Sequence, residues 1–285
     1  MVTRRLFIKS TALTAAAILT ACKGNQASSQ AAGKASEGFL SEAKGAIKVG
    51  DTHVAWLKDN LNDRVMTPDR FDQPEALVKE LGLEAGYPAS TSAFIAESEG
   101  ALVLFDAGNG NADSQLLNEL SKLGIQPSDI NAIAITHAHG DHLGGLTKDG
   151  SAVFPNAELY IARTEFDAFL AMEENRSAGI KKIQQAYKDR IHLIEFGDKI
   201  PGGFTALDCK GHTPGHTAFL KGKAVIVGDV MHGVALQLEH PEYCATFDMD
   251  KTNAVANRKK IIEDAKSNHQ VLFGAHFPAP GYLKF

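Results

Sequence analysis

The stretch that decides the fold is Ile130-Asn131-Ala132-Ile133-Ala134-Ile135-Thr136-His137-Ala138-His139-Gly140-Asp141-His142. Its first seven residues form a nearly continuous apolar run, as expected of a strand covered on both faces. Four potential metal ligands follow within six residues. In an extended chain, residues two apart point the same way, so His137 and His139 can grip one ion together. Asp141 and His142 lie beyond, where the chain turns, and Gly140, Gly144 and Gly145 permit the tight geometry of that turn. The segment can therefore present two ligand groups to two neighbouring ions. A solvated His-rich tract does not usually follow a buried strand directly.

Working outward, similar apolar runs predict strands at Ala101–Phe105, Ala157–Ala162, Ala224–Val227 and Val271–Phe273. Helical periodicity lies between them. Ser114–Leu123 sets Leu116, Leu117, Leu120 and Leu123 on one face, with Gly124 as a stop signal. Thr164–Tyr187 is a longer helical stretch, expected to break near Ser177–Gly179. Thr252–Lys266 is a third helix. Strands alternating with helices indicate an α/β protein. One domain is expected over residues 39–285. Further ligands stand at strand ends in the same way: His216 in Gly211-His212-Thr213-Pro214-Gly215-His216-Thr217, Asp229 after Ala224–Gly228, and His276 after Val271–Ala275. Open α/β sheets collect functional groups at strand ends.

With HAHGDH, GHTPGH, the Gly228-Asp229 pair and the late His276 in place, the chain resembles the metallo-β-lactamase-fold hydrolase superfamily over about Ser90 to Pro280. The resemblance implies a four-layer αβ/βα sandwich with metals along one edge. It also implies a ligand assignment: His137, His139 and His216 on one ion, Asp141, His142 and His276 on the other, and Asp229 bridging. Imidazole and carboxylate donors suit two Zn²⁺ per chain, with Fe, Mn or Co as alternatives of similar ligand type. His212 is read as a brace of its own loop, and Asp106 as a residue that orients a ligand histidine.

The chemistry expected of such a site is metal-assisted hydrolysis. Two divalent ions lower the pKa of a bridging water from 15.7 towards ~7, and the hydroxide attacks an electrophilic carbonyl or phosphoryl centre. Asp141 orients the nucleophile, and His232, three residues after Asp229, is placed to protonate a leaving group. No Ser or Cys nucleophile is required, so Cys209 and Cys244 are free of that role. They could pair in an oxidising compartment, but spacing does not decide it. Phe94, Leu236 and Phe277 are candidates for an apolar pocket, weighed against plain core. His53, His192, His240 and His269 read as structural or surface residues.

The bridging Asp229 disfavours a β-lactamase. The glyoxalase II type resembles chains with a long helical segment after the last ligand, whereas nine residues follow His276. The order Gly228-Asp229-Val230-Met231-His232, Leu236–Pro241, Asp248-Met249-Asp250, Arg258-Lys259-Lys260 and Ala275–Gly281 resembles the methyl parathion hydrolase-like branch, whose members look like phosphotriesterases, aryl-esterases and lactonases. That branch continues past Pro-Gly with a further strand, which is not expected here. The expected function is cleavage of an ester, lactone or phosphotriester. A glyoxalase II-like thioesterase, a non-catalytic zinc-binding lipoprotein and a single-iron oxygenase-type protein using only His137, His139 and His216 are the competing readings.

The whole chain has 285 residues and a formal net charge of -5. A mildly acidic chain is a poor nucleic-acid binder, because phosphate affinity rests on clustered Lys and Arg. Three cysteines do not make a disulfide scaffold. Thr3–Lys9 (TRRLFIK) followed by the short apolar stretch Ser10–Leu19 resembles a twin-arginine export signal. Leu19-Thr20-Ala21-Cys22 resembles a lipobox, which implies cleavage after residue 21 and acylation of Cys22. Residues 22–38 are too polar and small to offset ordering entropy and read as a flexible tether. The expected location is periplasmic, anchored to a membrane surface. A small ester or lactone and a second copy of the chain complete the expected partners.

Overall fold

The computed structural model describes residues 38–41 and 43–285. The expected signal, Cys22 and, apart from Gly38, the tether lie outside the described residues. Two sheets carry the fold. The first comprises β1 (Ala46–Val49), β2 (Thr52–Lys58), β3 (Ser92–Ser98), β4 (Ala101–Phe105), β5 (Ala132–Ile135), β6 (Glu158–Ala162) and β7 (Ile191–Ile194), in that spatial order. β1 to β4 pair antiparallel, and β4 to β7 pair parallel. The second comprises β8 (Thr205–Asp208), β9 (Thr217–Lys221), β10 (Ala224–Gly228), β11 (Val271–Gly274) and β12 (Tyr282–Lys284), also in spatial order. Within it only β10 and β11 are parallel. β12 is the strand after Pro-Gly that the sequence reading did not expect.

The central strands are apolar throughout because each has two dry faces. On β4, Leu102 and Leu104 join the outer core while Val103 and Phe105 join the core between the sheets. On β5, Ile133 and Ile135 face outward and Ala132 and Ala134 inward. On β10, Ala224 and Ile226 face the first sheet, and Val225 and Val227 face away from it. The period of two distributes each strand over two cores. Phe105 meets Phe204 edge-on at 4.8 Å and Phe94 meets Phe273 at 5.6 Å. Such pairs contribute ~0.5–1.5 kcal/mol each beyond area burial.

Helices cover both outer faces. Among the described residues seven segments are α-helical: α1 (Glu75–Glu80), α2 (Leu116–Lys122), α3 (Gly140–Leu143), α4 (Arg163–Leu170), α5 (Glu174–Tyr187), α6 (Val234–Gln237) and α7 (Lys251–Asn268). α2, α4 and α5 bury Leu116, Leu120, Phe166, Phe169, Ile180 and Ile183 against the first sheet. α7 buries Ile261, Ile262 and Ala265 against the second. The result is the αβ/βα sandwich the motifs imply. The helical stretch 164–187 breaks earlier than expected, with Ala171 as the C-cap of α4 and Glu173 as the N-cap of α5. Gly179 lies inside α5, and a Cβ there would meet Leu143 at 3.7 Å, an ordinary contact. Phe94, Leu236 and Phe277 are fully enclosed members of three different cores. They are core residues, the reading that the sequence favours over a pocket.

Candidate metal centre

Every expected ligand lies at the same edge of the sandwich, just beyond a strand end. His137 follows β5, and His139 is the N-cap of α3, which carries Asp141 and His142. Asp229 follows β10 and His276 follows β11. The parallel pairing of β10 with β11 delivers these last two side by side. Gly228 has φ +51°, and a Cβ there would sit 2.7 Å from His216 Nε2 and 2.8 Å from Thr136. Only glycine lets Asp229 be set down so close to the first sheet. Gly144 and Gly145 are required for a related reason. Cβ atoms there would meet the carbonyl oxygens of Asn109 and Ala107 at 1.9 and 2.0 Å. Gly140 has open space around it, so it is not one of the glycines the turn demands.

Among the described residues four overlapping donor groups emerge, and two of them hold the expected ligands: His137, His139, His212 and Asp229 form one, and Asp141, His142 and His276 the other. The remaining two, His212 with His232 and Asp248, and Asp229 with His232 and His276, share members with these. His139 Nδ1 lies 3.0 Å from both His137 Nε2 and His212 Nε2. Asp229 Oδ2 is 3.3 Å from His212 Nε2 and 3.1 Å from His276 Nε2. Its Oδ1 is 3.2 Å from His142 Nε2. Asp141 Oδ2 is 3.5 Å from His276 Nε2. Asp229 therefore touches both groups: its Oδ2 meets His212 of the first and His276 of the second, and its Oδ1 meets His142 of the second.

His216 is not among these donors. Its Nδ1 donates to the Cys209 carbonyl at 3.0 Å, and its Nε2 accepts from the Asp229 N–H at 3.0 Å. Both ring nitrogens are committed to backbone. The expected assignment of His216 to the first ion gives way to His212, the other histidine of GHTPGH. His216 instead holds the backbone from which the Asp229 side chain projects. The reading of His212 as a loop brace is corrected by the same observation.

The partners behind the rings set their tautomers. His212 Nδ1 donates to Asp248 Oδ1 at 2.9 Å, and His142 Nδ1 to Asp106 Oδ2 at 2.8 Å. His276 Nδ1 donates to the Ser90 carbonyl at 2.8 Å. Thr136 Oγ1 donates to Asp106 Oδ2 at 2.8 Å, which leaves the hydroxyl oxygen to accept from His137 Nδ1 at 3.1 Å. Each arrangement turns an Nε2 lone pair into the common space. His142 Nε2 and Asp229 Oδ1 are buried, 3.2 Å apart, with no hydrogen-bond partner. Lone pairs facing lone pairs and carboxylates are repulsive unless a cation lies among them. The donor set thus fits divalent metal, with imidazole and carboxylate as its chemistry.

The metal-free electrostatics agree. Burial pushes His137 well below the usual imidazole range, and burial together with His212 brings His139 to about 3. Burial also opposes protonation of His142 and His276, but the carboxylates of Asp229, Asp106 and Asp141 at His142, and of Asp229 and Asp141 at His276, raise both. Asp229 is held well below the carboxylate range because the surrounding imidazoles outweigh its burial. The same carboxylates that favour a proton on His142 and His276 would favour a cation beside them. The stabilising charge of these two rings is fully present below pH ~6.5 and is lost as pH rises through the raised values. Loading divalent metal should therefore release protons, and affinity should rise with pH across that window. Zinc titration calorimetry in buffers of different ionisation enthalpy checks this. Heats independent of the buffer would contradict it.

Three supporting residues were not picked out by their roles in the sequence. Asp248 connects His212 to the fully buried Arg258, whose Nη2 donates to Asp248 Oδ2 at 3.1 Å. Burial opposes its ionisation, yet the His212 hydrogen bond, His232 and Arg258 bring Asp248 to about 2. Arg258 also donates to the carbonyls of Val230, Pro241 and Tyr243. The buried Glu165 accepts from the N–H groups of Ala138 and Gly215 at 2.8 and 2.7 Å. It clamps the two histidine-bearing loops to each other. The Asp248-Met249-Asp250 and Arg258-Lys259-Lys260 runs signalled two of these residues, whereas nothing local marks Glu165.

A cleft of about 500 Å³ opens over the donors. His139, Asp141, His212, Asp229, His232 and His276 reach it from the metal side. The paired strands Arg64–Met66 and Tyr87–Ala89, with Phe247, form other parts of its lining. His232 Nε2 lies 3.0 Å from Asp229 Oδ2, and its ring stacks on His276 at 5.0 Å. Its buried Nδ1 has no partner. His192 is engaged at the surface with Glu158, and His269 is the left-handed C-cap of α7. Cys209 and Cys244 are free thiols, both buried.

The sequence profile of the Metallo-beta-lactamase superfamily matches residues 86–276. The chain belongs to that superfamily. Among solved members of the metallo-β-lactamase fold, a hydrolase of the beta lactamase superfamily, AbOPH, superposes with a TM-score of 0.74 at 30% identity. The match covers 84% of this chain and 91% of that one. The dizinc quorum-quenching lactonase AidC, solved with the product N-hexanoyl-L-homoserine, also gives 0.74, at 23% identity over 83% of this chain and 91% of that one. An N-acyl homoserine lactonase of Bacillus thuringiensis is 27% identical over 169 residues, 58% of this chain. The chain spans 62% of that lactonase's length. The superfamily match includes all of the donors described above, and the chain is a metallo-hydrolase of this superfamily with a site suited to divalent metal.

Proposed function

We propose that the protein is a dinuclear, most simply dizinc, hydrolase of a small ester, lactone or phosphotriester, in line with a methyl parathion hydrolase-like branch. One observation carries the reading: Asp229 stands between two donor groups, with its Oδ1 towards His142 and its Oδ2 towards His212 and His276. Bound ions supply Lewis acidity and lower the pKa of water. His137, His139 and His212 hold one ion and Asp141, His142 and His276 the other. Asp141 is the most exposed carboxylate of the set, with 29% of its side chain accessible, and is placed to orient an attacking water. His232 faces the cleft and is placed to give a proton to the leaving oxygen. Burial lowers its basicity to about 4, so near neutral pH the ring is uncharged and offers the leaving oxygen a neutral N–H. The similarity to lactonases favours a lactone or ester over a thioester.

The test is a panel of 4-nitrophenyl esters, acyl-homoserine lactones, phosphotriesters and thioesters on zinc-loaded protein, with metal content measured alongside. Two zinc per chain and turnover of an oxygen ester, lactone or phosphotriester is the expected result. Two zinc without turnover of any member would leave a zinc-binding protein instead, and one iron per chain would favour an oxygenase-type site. As part of the same reading, the twin-arginine and lipobox signals support a periplasmic protein held at a membrane through Cys22.

A further inference from the structure

On the strength of the hydrolase reading, we propose that the natural substrate carries a second, uncleaved anionic group, a carboxylate in the simplest case, held by Arg64 and Arg70. Both arginines line the cleft that contains the metal donors. Both are exposed, and neither has an acidic partner among the described residues. Arg64 donates through Nη1 to Thr91 Oγ1, a neutral contact that fixes its direction. The Arg70 side chain makes no hydrogen bond or ion pair among the described residues.

The acids nearby are committed elsewhere. Asp63 pairs with Lys58 and Asp72 with Lys251. Asp69 lines a separate cleft. The only carboxylates in the shared cleft are Asp141 and Asp229, and both face imidazoles. The guanidiniums are thus uncompensated at the mouth of a site whose donors already suit cations. Neutral substrates make no use of such a pair. Arginine forks match carboxylate geometry with two parallel donors. A cleft of about 500 Å³ holds a small diacid monoester with both ends engaged.

The experiment compares 4-nitrophenyl hydrogen glutarate with 4-nitrophenyl butyrate on the zinc-loaded protein. Water cleaves the first to glutarate and 4-nitrophenol. Charge-assisted hydrogen bonds to an arginine pair predict a kcat/KM preference of about 10- to 100-fold for the anionic ester. The preference should shrink with added salt and collapse towards unity in Arg64→Gln/Arg70→Gln. Equal handling of the two esters, or a preference that survives the double substitution, overturns the proposal while leaving the hydrolase reading intact. If no ester is cleaved, glutarate and butyrate are compared by calorimetry on the same protein. Tighter glutarate binding that the double variant loses then supports the anion site although the hydrolase reading fails, and equal binding overturns it.

Discussion

Asp229→Ala is expected to lower kcat/KM by at least ~10³-fold, since two-metal stabilisation is worth several kcal/mol and each ~1.36 kcal/mol is tenfold in rate. The carboxylate stands within 3.3 Å of the Nε2 atoms of His142, His212, His232 and His276. Among the described residues no other carboxylate has oxygens within 3.3 Å of histidines of both donor groups. Its removal leaves histidine lone pairs facing each other across a shared gap and takes away the one negative charge common to both sets. Metal content should fall together with activity. Asp229→Asn separates charge from shape. It keeps the volume, loses the charge, and should retain less than a tenth of wild-type activity. Wild-type rates in the alanine variant, measured on protein of verified zinc content, would remove the bridging role.

The second large effect separates two histidines four residues apart. His212→Ala should reduce bound zinc from two towards one per chain and lower kcat/KM by ~10²–10³-fold, as expected when a directly coordinating group is lost. His216→Ala should keep the zinc stoichiometry but lose stability. It strands the Asp229 N–H and the Cys209 carbonyl, both served by the His216 ring. Each unsatisfied buried group costs about 1–3 kcal/mol, so a loss of roughly 2–6 kcal/mol is expected in urea unfolding. Loss of zinc in His216→Ala with full zinc in His212→Ala would reverse the assignment made from the geometry.

That pair also shows where sequence reading stops. GHTPGH announces that a histidine is delivered to the site, but the two rings flank a tight turn and spacing alone does not say which points inward. The decision is made by Asp248, 36 positions from His212, and by the carbonyl of Cys209. By contrast, HAHGDH was legible because its geometry is local: a strand end, an alternation and a turn. Strand Ala101–Phe105 was legible to the residue because both of its faces are apolar. β2 and β3 were not, since Trp56, Lys58, Glu97 and Ser98 interrupt their runs with polar or bulky side chains. The cleft wall around Arg64 and Phe247 was invisible because segments nearly two hundred positions apart build it, joined by the isolated Phe71–Ala245 bridge. Phe94, Leu236 and Phe277 read more readily as core than as pocket, and packing places them in the core.

The donors enter the chain in a fixed order, with His137 first and His276 last. Residues 137–142 are synthesised early, yet the second group lacks a donor until the segment beyond β11 has docked beside β10. A partly made chain can therefore offer a histidine cluster but no finished pair of sites. On the proposed dinuclear reading, capture of a second ion would be a checkpoint on completed tertiary structure, and the ratio of bound metal to protein in a preparation would report what fraction of its molecules have closed.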